Sequence, residues 1–284
     1  MADHVLTFMG TAAGCGVPSF FCDCPACEEA RLDPSLAKGD CGIMVRRAAP
    51  SEDADVPDAD KPDPGCKVPT LVIDTPPDAR HQLLREGVRC VDEVLFTHCH
   101  FDHIGGLGEY EYMVALARGG EKLPVYGSED ALAGIFQEFH YMDYAMDPHV
   151  IEPYRMHMFD GVRYTGLPVT HAPGTYGYLI ETPDTRMFYA SDTGRLPEQT
   201  ADLVRGVDIL AMDATFWKKN WNDKAHHSIQ ECIEEGLELD AGTIYLTHTC
   251  MHYDEPITHA ELEEYISQYD GRVKIAMDGM SVEI

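Results

Sequence analysis

Short apolar runs bounded by Gly, Pro and charged residues recur along the chain and predict strands. The first run, HVLTFMG, ends at a glycine, and VDEVLFT is typical of a buried strand. Two of the runs, 42–47 and 70–75, follow each other as expected for a meander. The predicted strands are 4–10, 42–47, 70–75, 91–97, 163–171, 176–182, 186–192, 208–214, 243–248 and 272–278.

Apolar residues spaced three or four positions apart predict helices between several of these strands. The pattern describes a β-rich half followed by alternating strands and helices, with no internal repeat. For 284 residues we expect one α/β domain over 1–284, in which two sheets carry helices on their outer faces. The predicted helices are 76–87, 106–117, 128–141, 228–238 and 258–268.

The segment 49–67 interrupts this pattern between two predicted strands. It is rich in Asp and Pro and has almost no apolar residues. Such a composition cannot bury enough surface to order itself. We therefore expect a flexible acidic insertion at the tip of a hairpin.

The whole chain is acidic, with a formal net charge of −28. Proteins that grip nucleic-acid backbones normally present a basic face, so a nucleic-acid polymer is not an expected partner. A local cationic site can still hold a small phosphorylated substrate. No apolar run approaches the roughly 20 residues that cross a bilayer, and MADHVLTFMG does not resemble a secretion signal. A cytoplasmic protein without a membrane partner is expected, and a homodimer is compatible with the sequence.

Four ligand-type residues crowd into THCHFDHIGG: His98, His100, Asp102 and His103. Buried together without a cation, these side chains are costly to remove from water. Imidazole and carboxylate suit zinc, manganese or iron, and the sequence does not choose among these metals. The segment therefore predicts a metal site.

Three further ligand-type residues stand at the ends of predicted strands. His171 follows LPVT, Asp192 follows MFYAS and His248 follows IYLT, just as His98 follows VLFT. Side chains at the carboxyl ends of strands meet at one edge in α/β proteins, so we expect these residues to converge. Two cations about 3.5–4 Å apart activate water and polarise an ester or phosphoryl oxygen. The predicted chemistry is two-metal hydrolysis.

A second cluster, CDCPAC, brings together Cys22, Cys24 and Cys27. In a long chain without a recognisable leader, cysteines are expected to bind metal or lie buried rather than form disulfides. Three close thiolates suit one tetrahedral soft-metal site that needs a fourth ligand. The segment THTCMHYD offers Cys250 and His252 for that position.

THCHFDHIGG resembles the HxHxDH signature of the metallo-β-lactamase superfamily, and the later ligand-type residues are similar in order to those of its two-metal hydrolases. This resemblance spans nearly the whole chain. It implies an αββα sandwich of two mixed β-sheets with outer helices and two divalent catalytic metals. The implied ligands are His98, His100 and His171 for the first metal and Asp102, His103 and His248 for the second, with Asp192 between them.

MGTAAGCGVPSFFCDCPACEEAR resembles the N-terminal region of the phosphoribosyl cyclic phosphate phosphodiesterases of phosphonate breakdown, and AMDGMSVEI is similar to their ending. The related pyrroloquinoline quinone biosynthesis protein has a similar loop. The resemblance implies a structural zinc in the loop 11–30, held by the three clustered cysteines and His252. His252 lies four residues after His248, where three are expected, so Cys250 is a competing ligand.

KAHHSIQEC carries one more candidate residue. In these phosphodiesterases an HxSI-like stretch brings a non-ligand histidine to the phosphate, and aligning Ile229 with that motif selects His226 over His227. The implied role of His226 is to stabilise transition-state charge or to transfer a proton. For His227 an ordinary helix start, with Ser228 as the N-cap, is equally compatible with the sequence.

Two aspartates complete the expected site. Asp102 is implied both as a metal ligand and, together with His226, as a catalytic residue. Asp213, in LAMDATFW, is expected to orient a ligand histidine from behind.

The expected reaction is hydrolysis of a small cyclic phosphate, in the first place 5-phosphoribosyl 1,2-cyclic phosphate, by a hydroxide held between the metals. The substrate is implied by the resemblance, whereas the two-metal centre follows from the residues. A tRNA 3′-processing nuclease is the alternative hydrolase, opposed by the acidic charge and the lack of a basic, glycine-rich arm. A lactamase or thioester hydrolase leaves the Cys-rich loop unexplained. A di-iron reductase is opposed by His100, where a glutamate is usual. A quinone-cofactor biosynthesis protein that binds without hydrolysing stays open.

Overall fold

The computed structural model describes residues 3–48, 68–253 and 255–284. The predicted insertion at 49–67 lies outside the described residues. The strands are β1 His4–Gly10, β2 Gly42–Arg47, β3 Thr70–Ile73, β4 Glu93–Leu95, β5 Leu123–Gly127, β6 Met146–Val150, β7 Met156–Phe159, β8 Val162–Pro168, β9 Tyr176–Glu181, β10 Arg186–Ala190, β11 Ile209–Asp213, β12 Thr243–Thr247, β13 Val273–Ile275 and β14 Ser281–Glu283.

The strands form two seven-stranded mixed sheets. The first has the order β14-β1-β2-β3-β4-β5-β6, antiparallel as far as β3 and parallel from there to β6. The second has the order β13-β12-β11-β10-β9-β8-β7, parallel as far as β10 and antiparallel beyond it. The predicted meander of 42–47 and 70–75 is therefore confirmed as the antiparallel pair β2 and β3.

Helices cover the outer face of each sheet, and side-chain caps fix where several of them begin. Ser128 caps the helix that starts at Glu129, and Ser228 forms a capping box with Glu231. The helices are α1 Pro25–Leu32, α2 Ala79–Arg85, α3 Phe101–Ile104, α4 Tyr110–Leu116, α5 Glu129–Glu138, α6 Glu198–Val204, α7 Ile229–Glu238 and α8 His259–Ile266, with 3₁₀ turns at Pro34–Leu36, Leu107–Glu109, His140–Met142 and Ser267–Tyr269.

The core has three layers because successive strand residues point to opposite faces. In β2, Ile43 and Val45 pack between the sheets, whereas Met44 packs against the outer helices of the first sheet. In β11, Ala211 lies between the sheets and Leu210 faces the helices of the second sheet. Both faces of these strands are thus buried, which explains their nearly continuous apolar runs. The αββα fold predicted from the sequence is confirmed.

Several elements were not predicted. The strands β6 and β7 stand at the open edges of the two sheets with mostly exposed side chains, so no apolar run marks them. The short strands β5 and β14 and the helix α6 carry similarly weak patterns. The Cys-rich loop predicted over 11–30 is wrong in its last part, because Pro25 starts α1, a position that proline favours. Among the described helices, none combines the length and apolarity needed to cross a bilayer.

Candidate metal centre and pocket

The strand ends singled out by the sequence meet at one end of the sandwich. His98 follows β4 in the first sheet, whereas His171, Asp192 and His248 follow β8, β10 and β12 in the second. The chain from His98 turns directly into α3, which carries Asp102 and His103 on its first turn. Both sheets therefore contribute to the site, and neither could build it alone.

Three imidazoles form the first half of the centre. The Nε2 atom of His98 lies 2.9 Å from Nδ1 of His100, and that same Nδ1 lies 3.1 Å from Nε2 of His171. The three ring nitrogens fall within 4.8 Å of one another. This spacing is what three ligands of one divalent ion require.

Two histidines and two carboxylates form the second half. Asp192 places Oδ2 2.9 Å from Nε2 of His103 and Oδ1 3.3 Å from Nε2 of His248. Asp102 Oδ2 lies 3.4 Å from the first of these nitrogens and 3.5 Å from the second. Because Asp192 Oδ1 also lies 3.8 Å from Nε2 of His171, this single carboxylate reaches both halves of the centre.

Hydrogen bonds behind the first sheet's ligands determine which nitrogen each one presents. The hydroxyl of Thr97 donates to Asp74 at 2.8 Å, so at 3.0 Å it accepts from Nδ1 of His98. His103 Nδ1 donates directly to Asp74 at 2.8 Å. In both rings the proton is fixed on Nδ1, which leaves the lone pair of Nε2 facing the centre.

The second sheet's ligands are held in the same way. His171 Nδ1 donates to the carbonyl of Ala225 at 2.9 Å. His248 Nδ1 donates to the hydroxyl of Thr215 at 2.9 Å, and this hydroxyl donates to Asp213 at 2.7 Å. Asp213 therefore orients His248 through Thr215 rather than by direct contact.

Three of the atoms that would bind the metals make no hydrogen bond within the described residues. Nε2 of His103, Oδ2 of Asp192 and Nε2 of His248 are buried and have no hydrogen-bond partner among the described residues. Burying an unpaired polar atom costs about 1–3 kcal/mol. Three such atoms facing one another fit divalent metal ions, and the mixed nitrogen and oxygen donors suit zinc, manganese or iron.

The electrostatics of the centre also favour a cation. Although burial opposes it, the carboxylates of Asp192 and Asp102 raise the pKa of His103 well above its ordinary value. The same two carboxylates raise the pKa of His248 to about 9 against the effect of burial. The negative charge that raises these histidine pKa values also favours a bound metal ion in place of the protons. Burial, by contrast, lowers the pKa of His98 and His171 and keeps them in the neutral form that binds metals.

His226 lies beside the centre and is oriented by Asp213. Its Nδ1 lies 2.7 Å from Oδ2 of that buried aspartate, so Nε2 is left for the cavity. The ring stacks on His248 with centroids 5.5 Å apart and an interplanar angle of 7°. Asp192, Asp213, His226 and His248 can also be grouped as a metal site by distance. The direct contact between His226 and Asp213 instead makes them a hydrogen-bonded pair.

His227 points away from the cavity and ties two elements together. Its Nδ1 lies 2.7 Å from the carbonyl of Thr193, and its Nε2 lies 2.7 Å from a carboxylate oxygen of Glu235 on α7. Both partners only accept hydrogen bonds, so the ring is a buried imidazolium. In agreement, the pKa of His227 is raised by Glu235 although burial opposes the shift. The ring therefore holds Thr193, the residue that follows Asp192, in place.

The Cys-rich segment forms a separate cluster. The ligand atoms of Cys22, Cys24, Cys27 and His252 lie within 4.8 Å of one another. Nδ1 of His252 lies 3.1 Å from Sγ of Cys27 and 3.6 Å from Sγ of Cys24, and its Nε2 donates to the carbonyl of Gly16. Three thiolates and one imidazole suit a structural zinc.

Cys250 occupies a different place from that ligand set. It groups with Cys15 and His252 and not with the three clustered cysteines. The one-residue departure in spacing therefore still places His252, rather than Cys250, beside those cysteines.

A cavity of about 520 Å³ opens above the metal centre. Its floor contains His100, Asp102, His171, Asp192 and His248. The walls come from the loops after β1, β8 and β12 and from the long loop between β11 and α7, and include Gly14, Cys15, Phe216, Trp221, His226 and Tyr253.

Comparison with known families matches residues 70–249 to the Beta-lactamase superfamily domain. The matched segment contains every residue of the metal centre described above. The chain belongs to the metallo-β-lactamase superfamily. Within this superfamily fold it carries a His/Asp cluster suited to catalytic metals and a Cys₃His group suited to a structural zinc.

Three proteins illustrate what this chain is similar to. A crystal structure of a diphosphatase from the PhnP family has a TM-score of 0.79 and 26% identity, covering 99% of this chain and 98% of that one. Zinc-bound PqqB from Methylobacterium extorquens has a TM-score of 0.75 at 18% identity, covering 99% and 100%. An octanoyltransferase of Porphyromonas gingivalis is 30% identical over 93% of this chain, which spans only 50% of that protein's length.

Three contributors to the site were not predicted from the sequence. Asp74 ends the run TLVID and holds both His103 and Thr97, and Thr215 links Asp213 to His248. Trp221 lines the cavity. The backbone at Asp74 has a φ of 69° and that at His248 a φ of 53°, a strained conformation for residues with side chains. An aspartate directly after a buried strand was the one available signal.

Proposed function

We propose that this metallo-β-lactamase-fold hydrolase is a phosphodiesterase that opens a small cyclic phosphate ester to a phosphomonoester. The observation that carries the proposal is the pair of ligand sets joined by Asp192. Nε2 of His103, Oδ2 of Asp192 and Nε2 of His248 are buried in it without a hydrogen-bond partner in the part of the chain that the structure describes. The pair lies at the floor of a cavity that also exposes His226 to a bound substrate. A membrane or a nucleic-acid polymer has no part in this proposal.

The substrate named by the sequence resemblance is 5-phosphoribosyl 1,2-cyclic phosphate. The similarity to a PhnP-family diphosphatase over nearly the full length of both chains supports phosphorus chemistry at this site. It also favours a second candidate function, the cleavage of a diphosphate, which needs the same attack on phosphorus but a different leaving group.

The protein's own residues position the reaction. A pair of divalent ions, when bound, makes water nucleophilic near neutral pH and neutralises phosphoryl charge. Asp213 fixes His226 at 2.7 Å so that its Nε2 faces the cavity. A proton held on that Nε2 can pass to the oxygen that leaves phosphorus as the ester ring opens. The ligands stay fixed because Asp74 and Thr215 hold their outer nitrogens.

The test is turnover by protein reconstituted with zinc or manganese, followed by phosphorus NMR. The proposal expects the cyclic-ester signal of 5-phosphoribosyl 1,2-cyclic phosphate to be replaced by one new phosphomonoester signal beside that of its 5-phosphate, with no inorganic phosphate. Turnover of a diphosphate alone would support the second candidate. Asp192→Ala is the matched control, since it removes a carboxylate that reaches both ligand sets and should abolish turnover with the fold retained. Full activity in this variant would overturn the two-metal assignment.

A further inference from the structure

Two cysteines lie beside the structural zinc cluster without belonging to it. Cys15 is in the loop after β1, and Cys250 is in the loop after β12. Their sulfur atoms and a ring nitrogen of His252 lie within 4.8 Å of one another. Both cysteines are free thiols and stand outside the Cys₃His group that suits a zinc ion. We call Cys15 and Cys250 the loop thiol pair.

The loop thiol pair lacks a third ligand for a metal of its own. Nδ1 of His252 lies 3.1 Å from Sγ of Cys27, and Nε2 of the same ring donates to the carbonyl of Gly16 at 2.7 Å. Both nitrogens of His252 are therefore in use. Two thiols alone are too few for a closed zinc site, which takes four ligands. The chemistry that remains for two neighbouring thiols is oxidation to a disulfide.

Backbone contacts already hold the two loops side by side. Ala12 pairs with Thr249 in a short parallel bridge, and the amide of Ala13 donates to the carbonyl of Thr249 at 3.2 Å. Cys15 comes two positions after Ala13, and Cys250 directly follows Thr249. A disulfide brings its sulfurs to about 2.05 Å and forms only between neighbouring stretches of backbone. This pair meets the second condition without any change of fold.

The two thiols differ in how an oxidant reaches them. Cys15 is partly exposed and lines the cavity above the metal centre. Cys250 is only 3% exposed and is not among the described residues of that lining. An accessible cysteine beside a second cysteine that can resolve its oxidised form is typical of a redox-sensitive site. Cys15 is therefore the residue that an oxidant meets first.

We propose that Cys15 and Cys250 form a modification site that a hydroperoxide converts into a disulfide. The sulfur of Cys15 attacks one peroxide oxygen, the O–O bond breaks, and the other oxygen leaves with the thiol proton as water or an alcohol. The sulfur of Cys250 then attacks the sulfenic acid on Cys15, so that the S–S bond forms and the S–O bond breaks. The hydroxyl leaves as water with the second thiol proton. The two thiols have lost two electrons to the peroxide, and a small-molecule dithiol returns them.

The turn that carries Cys15 connects this site to the metal centre. Gly14 packs so closely on Asp102 that a β-carbon at this glycine would lie 3.1 Å from Oδ2 of the aspartate. Drawing Cys15 toward Cys250 therefore moves backbone that contacts a ligand of the second metal. A displacement of about 1 Å can cost up to about 10²-fold in rate, so the oxidised protein should turn over more slowly. This effect on rate rests on the proposed function, whereas the disulfide itself does not.

The test treats the zinc-loaded full-length protein with hydrogen peroxide, blocks the remaining thiols with N-ethylmaleimide in denaturant and digests with trypsin without reduction. The expected product is a cross-link between peptides 1–31 and 225–272, which dithiothreitol removes. Cys15→Ser and Cys250→Ser should each lack the cross-link. Cys232→Ser is the matched control, because this buried cysteine shares a tryptic peptide with Cys250, and it should keep the cross-link.

The other outcomes decide against the site. A missing cross-link in the wild type, or one that survives in Cys15→Ser, would overturn the disulfide. Loss of about one zinc per chain in both Cys15→Ser and Cys250→Ser would make the pair metal ligands instead and would also overturn it.

Turnover of bis(p-nitrophenyl) phosphate gives the second readout. The rate should fall in the oxidised wild type and recover with dithiothreitol, and peroxide should not produce this reversible fall in Cys250→Ser. A cross-linked protein with an unchanged rate would overturn the effect on the metal centre. An inactive reduced protein that still forms the cross-link would count against the proposed function and would support the disulfide.

Discussion

Replacing His226 by Asn tests whether this residue transfers a proton. Asn keeps a donor near Nδ1, where His226 contacts Asp213 at 2.7 Å, but it has no group at the position of Nε2. A positioned general acid contributes about 10²- to 10⁴-fold to the rate, which corresponds to about 3 to 5 kcal/mol of activation free energy. The side chain is only 15% exposed and its partner is fully buried, so the geometry is well fixed and the upper part of that range is expected.

The leaving group makes this prediction specific. Opening a cyclic alkyl phosphate releases an alkoxide that needs a proton, whereas bis(p-nitrophenyl) phosphate releases p-nitrophenolate, which does not. His226→Asn should therefore lower kcat strongly for the cyclic ester and only slightly for the nitrophenyl ester. Its metal content should match the wild type, because His226 is paired with Asp213 rather than placed among the ligands. An equal loss with both substrates would refute proton transfer by His226.

Three further predictions concern the parts of the chain around the centre. Cys24→Ser should remove about one zinc per chain and lower the melting temperature, with a milder loss of rate than Asp192→Ala. Cys250→Ser should keep the metal. Zinc loss in Cys250→Ser alone would show that the fourth ligand is Cys250. His227→Gln should cost about 3–5 kcal/mol of unfolding free energy at low pH, because it leaves Glu235 without its buried charged partner. The pKa of His227 is raised in the folded protein, so this stabilisation is full below the unfolded pKa of 6.5 and is lost as the pH rises through the folded pKa. The difference in unfolding free energy between wild type and variant should therefore shrink as the pH rises. A difference that stays constant would contradict the pairing. Deleting 49–67 should leave turnover nearly unchanged, as judged by kcat/KM, and a large loss would show that the segment covers the cavity.

The metal-site residues could be named from the sequence because their signal is local. Each ligand follows a strand, and strand ends meet wherever a sandwich forms, so the position of His248 or Asp192 hardly depends on details of packing. The residues that hydrogen-bond to the ligands from behind were harder to predict from the sequence. Asp213 was expected to orient a ligand histidine. It does so for His248 through Thr215, and its direct contact with His226 was not predicted. That relay depends on the path of a loop, which periodicity does not encode.

The edge strands and the cavity walls were the other features that the sequence analysis did not predict. The strands β6 and β7 lack an apolar pattern because one face or more is open to solvent. The cavity lining brings together Trp221 and Tyr253, which are 32 positions apart in the sequence (253 minus 221) and belong to different loops. Nothing in either segment alone distinguishes these residues from ordinary core aromatics, so their place in the lining emerges only from the fold.

The central claim is that two metal ions share Asp192, and anomalous diffraction from crystals grown with zinc or manganese tests it most directly. In the His/Asp centre, the account predicts two peaks about 3.5–4 Å apart, each about 2.0–2.2 Å from an oxygen of Asp192. One peak should contact His98, His100 and His171, and the other should contact Asp102, His103 and His248. A single catalytic peak, or a peak bound between Asp213 and His226, would contradict the account.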